Sequence, residues 1–316
     1  MANTLLTNDV IAQAALATLY EKTVMLPLVY SDVSSEWQRS QKIGDTVNIR
    51  KPAVFTANKF DPVVRNITVQ NATETSVPVT LNHIPDVSFQ VTSEDLTLEV
   101  TDFAEQFLAP ALEAISQYID REILKLRDDI TQEAGAGAIV DPADPAYDES
   151  LLWHKPEVLI EAGRVLDLRN VPESQRTAVV GPTTKAKWLN SDLLKRVDQS
   201  GDTAALRRAS IGNDLFGFAG YQTQNVGQPA QSPASGEPTT EVGLAFHKTA
   251  FAFASAPLAV DPSSNGVTRN YKGLNLRIVS GHDIRSKATI FSIDTLFGVK
   301  TLDPNRAVLL KGADAA

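Results

Sequence analysis

Residues 92–130 read TSEDLTLEVTDFAEQFLAPALEAISQYIDREILKLRDDI, and the reading of this stretch decides the architecture. Apolar residues recur at Leu96, Val100, Phe103, Phe107, Ala111, Ile115, Ile119, Ile123, Leu126 and Ile130. The steps are three or four residues, the repeat of one helix face. Thr92 is a suitable N-cap, and Asp95 three residues on makes a weaker relative of the capping box. Pro110 falls inside the pattern. It lacks a backbone donor and its ring crowds the preceding turn, so the spacing predicts a helix over 92–130 that kinks or divides near Ala109. At ~1.5 Å per residue such a rod is on the order of 55 Å long. Helices in globular domains average about three turns, so this one is either an ordinary core element or a strut. Asp128 and Asp129 oppose the helix dipole at its C-terminal end, and the sequence supplies no reason for them.

Upstream, residues 44–91 change period. Gly44-Asp45 reads as a turn, and residues 46–51 alternate apolar and polar side chains as a strand does. Pro52 then blocks the ladder. Residues 76–91 alternate again through Val77, Val79, Leu81, Val87, Phe89 and Val91. The result is a long two-stranded excursion with few large apolar residues at its tip. Such a hairpin is marginal alone in water, and its open edge is an aggregation hazard unless covered. It is therefore expected to lie on another subunit. Residues 1–30 hold a short helix after Asn8-Asp9, ended by Pro27. This arm has little core of its own and must lie against its own chain or a neighbour's.

Downstream, the Gly/Pro/Asp-rich residues 134–150 mark a break. A helix is expected over 155–170, with Pro156 near its first turn. A buried strand follows at 176–181, and Pro182 opens a second helix through Trp188-Leu189. Residues 211–226 read as Gly-punctuated strand material and 227–240 as a surface loop. A strand at 244–246, a short apolar helix at 247–255, and strands at 274–279, 287–294, 298–301 and 307–310 complete the chain. Helices mixed with strands in this order give an α+β or α/β class. No fixed-period repeat is present.

The composition narrows the function. The 316 residues are 43% hydrophobic and 21% charged, enough for a substantial core. The net charge is −9, and no dense Lys/Arg run appears beyond pairs such as Arg207-Arg208. Tight gripping of nucleic-acid phosphates is not expected of such a chain. There is no cysteine, which excludes disulfides, thiolate metal sites and cysteine nucleophiles and fits synthesis in a reducing cytoplasm. The start, MANTLLTNDVIAQAAL, has no basic segment followed by an apolar block, so no signal peptide is expected. No window approaches 18 uncharged apolar residues, so no membrane partner is expected either.

Catalytic chemistry finds little footing. His83, His154, His247 and His282 lack metal-ligand spacing. No G-x-S-x-G elbow proposes a serine, although a triad assembled in space is not decided by spacing. Gly135-Ala136-Gly137 lacks the rest of a phosphate loop and follows a helix instead of a strand. Asp95 suits a helix N-terminus. No catalytic, cofactor-binding or metal residues are assigned.

The order of parts resembles the major capsid (coat) proteins of tailed double-stranded-DNA bacteriophages, most closely the group that relies on a separate scaffolding protein. Several phrases carry the resemblance: Met1-Ala2-Asn3-Thr4-Leu5 before a helix, Gly44-Asp45-Thr46-Val47 with Arg50-Lys51-Pro52, Asp120-Arg121-Glu122 late in the long helix, RTAVVGP at 176–182 followed by Trp188-Leu189, Ala245-Phe246-His247-Lys248, and Phe297-Gly298-Val299-Lys300. Their order and spacing together are what is specific. The resemblance implies an α+β phage major-capsid fold with an N-terminal arm (1–36), an extended β loop (37–88), a peripheral domain (89–150) with a spine helix (92–130), a mainly axial domain (151–280) and C-terminal strands completing both domains (281–316).

By the same resemblance the chain is a non-enzymatic structural protein forming pentamers and hexamers of an icosahedral head around DNA, which it encloses without reading sequence. It would be made in the host bacterial cytoplasm and end in the virion, with a separate scaffolding protein and a portal protein as partners and room for a decoration protein. Asp45, Arg50, Lys51, Phe55, Lys59 and Phe60 are the expected inter-subunit residues, and Pro110 is the expected hinge of the spine helix. No fused scaffolding segment precedes the arm in this reading. Some relatives weld subunits through a lysine–asparagine bond; Asn58 and Lys59 do not match that chemistry. An encapsulin-like cargo compartment of the same fold and an α+β hydrolase are the alternatives.

Overall fold

The computed structural model describes residues 15–31 (except 17 and 21), 46–51, 57–58, 67, 69, 75–92, 107–192 (except 140) and 215–316 (except 263). In chain order, a helical stretch near residues 15–22 leads to a 3-10 turn at Leu26–Leu28 that contains Pro27, then to β1 (Tyr30–Ser31). Strands β2 (Thr46–Lys51), β3 (Thr75–Thr80) and β4 (Asp86–Thr92) follow. Helix α1 (Ala109–Lys125) comes next, then β5 (Glu133–Ala134), α2 (Val158–Asp167), β6 (Arg176–Val180), α3 (Pro182–Leu189) and β7 (Ala219–Gln222). The remainder is strand: β8 (Gly243–His247), β9 (Phe251–Ala256), β10 (Asn265–Tyr271), β11 (Leu274–Asp283), β12 (Ala288–Asp294), β13 (Leu296–Thr301) and β14 (Ala307–Leu310).

The central layer is a five-stranded sheet in the order β5-β14-β8-β6-β7. Its middle strands β6, β8 and β14 are buried at every residue, which is why RTAVV, GLAFH and AVLL read as continuous apolar runs. Alternate residues serve two cores. Val179, Leu244, Phe246, Ala307 and Leu309 face a core shared with α1 and the arm. Ala178, Val180, Ala245, Val308 and Leu310 face a second core filled by Val158, Leu159, Ala162 and Leu166 of α2 and by Trp188 of α3. The helix α3 starts where expected, with Pro182 as its first residue.

Over the described residues helix α1 carries the expected period as far as Lys125. Thr92 is the last residue of a strand, residues 93–106 lie outside the described residues, and the chain past Lys125 tightens into a 3-10 turn at Leu126–Asp129 before Ile130 extends. Phe107 and Leu108 are π-helical and run straight into α1, Leu108 itself having helical backbone angles, so Pro110 follows a widened helical turn that makes room for its ring. The inward face is the predicted one: Ala111, Leu112, Ile115, Ile119 and Ile123 are each at most 5% exposed. Asp129 gains a reason, because Thr301 Oγ1 donates to its Oδ2 at 2.6 Å.

Residues 247–255 are not a helix. His247 caps a 3-10 turn at Lys248–Ala250, and β9 follows. Phe251 and Phe253 point into the α1 core, while Ala252, Ala254 and Ala256 point the other way. Period two is present, but alanine on one face and phenylalanine on the other read as one apolar run. A four-stranded antiparallel sheet, β10-β11-β12-β4, and a three-stranded one, β1-β9-β13, flank the α1 core. The sequence reading missed β10. It joins β11 through Lys272 and Gly273, both at positive φ (49° and 87°), the backbone of a tight hairpin turn.

Candidate functional site

A two-stranded hairpin, β2 with β3, is docked on the layered body through the buried face of its described residues. The pairing is antiparallel, Thr46 opposite Thr80 through Lys51 opposite Thr75. Side chains alternate as they must: Val47, Ile49 and Val79 are buried, whereas Asn48, Ser76 and Pro78 face solvent. The buried set meets Ala252, Ala254, Ala256 and Leu302. Alanine on this face of β9 removes the bulk that would hold the hairpin away. Gly298 on β13 removes more, since a β-carbon there would lie 2.1 Å from the Thr80 carbonyl oxygen.

His83, three residues beyond β3, fastens the exit of the hairpin. Its N–H donates to the Phe297 carbonyl at 3.1 Å and its carbonyl accepts from the Phe297 N–H at 3.0 Å. The imidazole stacks on the Phe297 ring, centroids 5.2 Å apart, with the Tyr118 ring edge-on at 6.3 Å. Nδ1 lies 3.8 Å from Glu122 Oε2, and Glu122 also accepts from Lys125 Nζ at 2.5 Å. The hairpin base is thus tied to α1 and β13 at once. Between the two strands in sequence, Ile67 and Val69 are 69% and 79% exposed, large apolar groups that a partner surface would cover.

The arm is docked by a different device. Asp120 on α1, 1% exposed, accepts from the N–H groups of Val24 at 3.1 Å and Met25 at 3.0 Å. Ala15, Leu16, Leu19, Met25, Leu26, Leu28 and Val29 are buried in the α1 core of the same chain. Of the two surfaces open to the arm, residues 15–31 use their own. Strand β1 then pairs in parallel with β9 through Tyr30–Ala252 and Ser31–Phe253.

Other charged and titratable groups hold local joints. Glu241, 2% exposed, takes the N–H groups of Thr183 at 3.0 Å and Thr184 at 2.8 Å at the start of α3, with the Thr184 hydroxyl and the Gln228 amide. Burial raises its pKa, but the hydrogen bonds outweigh burial and hold it below the ordinary carboxylate value. His154 and His247 are both held below the ordinary histidine value, chiefly by burial and then by neighbouring Lys187 and Lys155, or Arg306 and Arg176. His282 Nδ1 lies 3.3 Å from the Thr289 hydroxyl, while Asp283 caps the turn to Arg285 and Ser286. Among the described residues no cluster of three His, Cys, Asp or Glu side chains has the arrangement of a metal site, and no helix is long and apolar enough to cross a membrane.

Of the expected inter-subunit residues, Arg50 and Lys51 lie on β2 opposite Ser76 and Thr75. Asp45, Phe55, Lys59 and Phe60 lie outside the described residues. Sequence reasoning missed Asp120, Glu241 and Gly298 as fastening points. Asp120 had a signal: it falls on the same helix face as Ile119 and Ile123, where a charge is out of place.

No protein-family model matches the chain, and comparison with curated protein sequences finds no match. Solved structures do match. Mycobacterium phage Che8 aligns at 21% identity with a TM-score of 0.60, over 91% of this chain and 90% of that one. The capsid structure of the cyanophage P-SCSP1u aligns at 15% identity with a TM-score of 0.62, over 93% and 89%. The mature capsid of bacteriophage PhiM1 aligns at 14% identity with a TM-score of 0.57, over 93% and 88%. At these identities the likeness is one of fold, and the chain has the phage capsid fold that the resemblance implied.

Proposed function

We propose that the chain is a non-enzymatic shell protein whose copies form pentamers and hexamers and close into an icosahedral phage head around double-stranded DNA. The observation that carries this reading is the correspondence with phage capsid structures along 91–93% of the chain. The hairpin β2–β3 supports it, because the chain between its two strands carries Ile67 and Val69 exposed, apolar groups suited to meet a neighbour. In this reading Asp45, Arg50, Lys51, Phe55, Lys59 and Phe60 make contacts between subunits. Pro110 is the place where α1 and the residues before it change direction between compact and expanded shells. A separate scaffolding protein directs assembly, a portal protein occupies one vertex and a decoration protein binds the finished surface. The chain is made in the host bacterial cytoplasm and ends in the virion. A net charge of −9 suits a wall that encloses DNA without binding it tightly.

The test is sedimentation of the purified chain with and without its matching scaffolding protein. Shell-sized particles in the mixture support the reading; a chain that stays monomeric in both overturns it.

A further inference from the structure

We infer that Phe216 and Glu173 of one copy dock on Trp153 and Lys187 of the next, a head-to-tail contact that joins copies into rings. The inference deepens the shell-forming reading and rests on it.

The anchor is displayed on a strained turn. Leu215 and Phe218 exchange two backbone hydrogen bonds, at 2.9 and 3.0 Å, across Phe216 and Gly217. Both central residues have positive φ, 51° and 80°, the backbone of a hairpin turn that suits Asn-Gly. Glycine belongs there, but a bulky aromatic side chain is an outlier. Burial does not explain the ring, because Phe216 is 41% exposed. Ile160 on α2 is 48% exposed, and with Leu159, Gly163 and Phe216 it lines an open cleft of about 470 Å³. Strained positions of this kind cluster where a side chain serves a ligand or partner and not the fold.

The rim of the cleft has an unmatched negative charge. Arg164 donates to both carboxylate oxygens of Glu161, at 2.7 and 2.6 Å, and the buried Arg176 donates to Asp167 at 2.6 Å. Both cations are therefore engaged. Glu173, exposed on the same rim, has no cation among the described residues.

The complement lies at the other end of β6. Arg176 opens that strand beside the cleft, and past Val180 the chain enters α3, which carries Lys187. Lys187 Nζ sits 4.0 Å from the centroid of the Trp153 ring. The Trp153 carbonyl accepts from Trp188 Nε1 at 3.0 Å, and a β-carbon on Gly312 would lie 3.0 Å from the Trp153 Nε1, so this indole is held in place. Nearby Lys155 is paired with Glu149, whereas Lys187 has no carboxylate among the described residues.

An apolar cleft short of a cation and an aromatic patch with a cation free are complementary. Lying at opposite ends of one buried strand, they cannot meet within a copy. Contact between two different surfaces is heterologous, and such contacts close into rings when the rotation between copies allows.

The experiment is charge reversal in the full-length chain, expressed with its matching scaffolding protein and scored by the yield of sedimenting shells. Glu173→Lys and Lys187→Glu should each keep the native circular dichroism and cut the yield more than about tenfold, because five or six like-charged contacts per ring act together. The double variant should restore it. Phe216→Asn should hold or raise the melting temperature, since Asn suits the turn, and still lose shells. Full yield from either single reversal overturns the contact, and so does a double variant no better than the singles. Loss of scaffold binding by unassembled Glu173→Lys assigns the patch to the scaffolding protein and overturns it too. Absence of shells from the unaltered chain removes the shell-forming reading and this contact with it, whereas shells indifferent to all these changes remove the contact alone.

Discussion

Gly298 and Thr80 are in backbone contact: a β-carbon on Gly298 would lie 2.1 Å from the Thr80 carbonyl oxygen and 2.8 Å from its carbon. Both obstacles are backbone, so no side chain can swing away to make room. Gly298→Ala should therefore displace the hairpin base from β9 at a cost of about 1–3 kcal/mol. The body should still fold, because the cores around α1 and α2 do not depend on this contact. The expected outcome is a lowered melting temperature with native circular dichroism and failed particle formation. Normal assembly of Gly298→Ala would show that the hairpin angle does not matter.

Shortening the hairpin separates its two jobs. Removing residues 53–73 and joining the ends by a short turn keeps the buried base, Val47, Ile49 and Val79, and discards the distal part. The chain should remain folded and soluble and should fail to close shells, as seen by electron microscopy. Intact particles from this variant would remove the hairpin from the account.

Glu241 fills the space over Gly181, where a β-carbon would meet its carboxylate at 2.4 Å. Glu241→Ala leaves the Thr183 and Thr184 N–H groups without their acceptor and should cost about 1–3 kcal/mol. The pH dependence has a definite sign. A folded-state pKa held below the ordinary 4.5 contributes stability above that value, which is lost as the pH falls through the folded pKa. Denaturant melts at pH 7 and pH 3 should show the difference between the unaltered chain and Glu241→Gln shrinking in acid.

Pro110 follows the π-helical residues Phe107 and Leu108 at the head of α1, where the wider turn accommodates its ring. Pro110→Ala should leave stability within about 0.5 kcal/mol. If residues before α1 swing about this point, the restored amide should shift the ratio of compact to expanded shells. An unchanged ratio would take Pro110 out of the mechanism.

Much of the body was legible because its strands carry plain local patterns. Residues 46–51 alternate apolar and polar side chains, 176–180 and 307–310 are short runs rich in apolar residues, and a proline opens α3. Three things were not legible. The alanines of β9 look like part of an apolar helix until it is known that the hairpin packs on them. Lys272-Gly273 makes a hairpin turn that usually carries Asn-Gly, so β10 gave no warning. Gly298, Glu241 and Asp120 act mainly through residues far away in sequence (Thr80, Thr183 and Thr184, and Val24 and Met25), a relation that local periodicity does not contain. The long apolar period over 92–130 was right about the buried face of α1; Thr92, at its expected start, is the last residue of a strand beside β12, and residues 93–106 lie outside the described residues.

The most direct measurement is electron cryomicroscopy of the chain expressed with its matching scaffolding protein. The account predicts closed shells of pentamers and hexamers, with residues 46–80 of each copy lying across a neighbour and Ile67 and Val69 covered there. A chain that stays monomeric beside its scaffold, or shells in which the hairpin folds back on its own subunit, would contradict it.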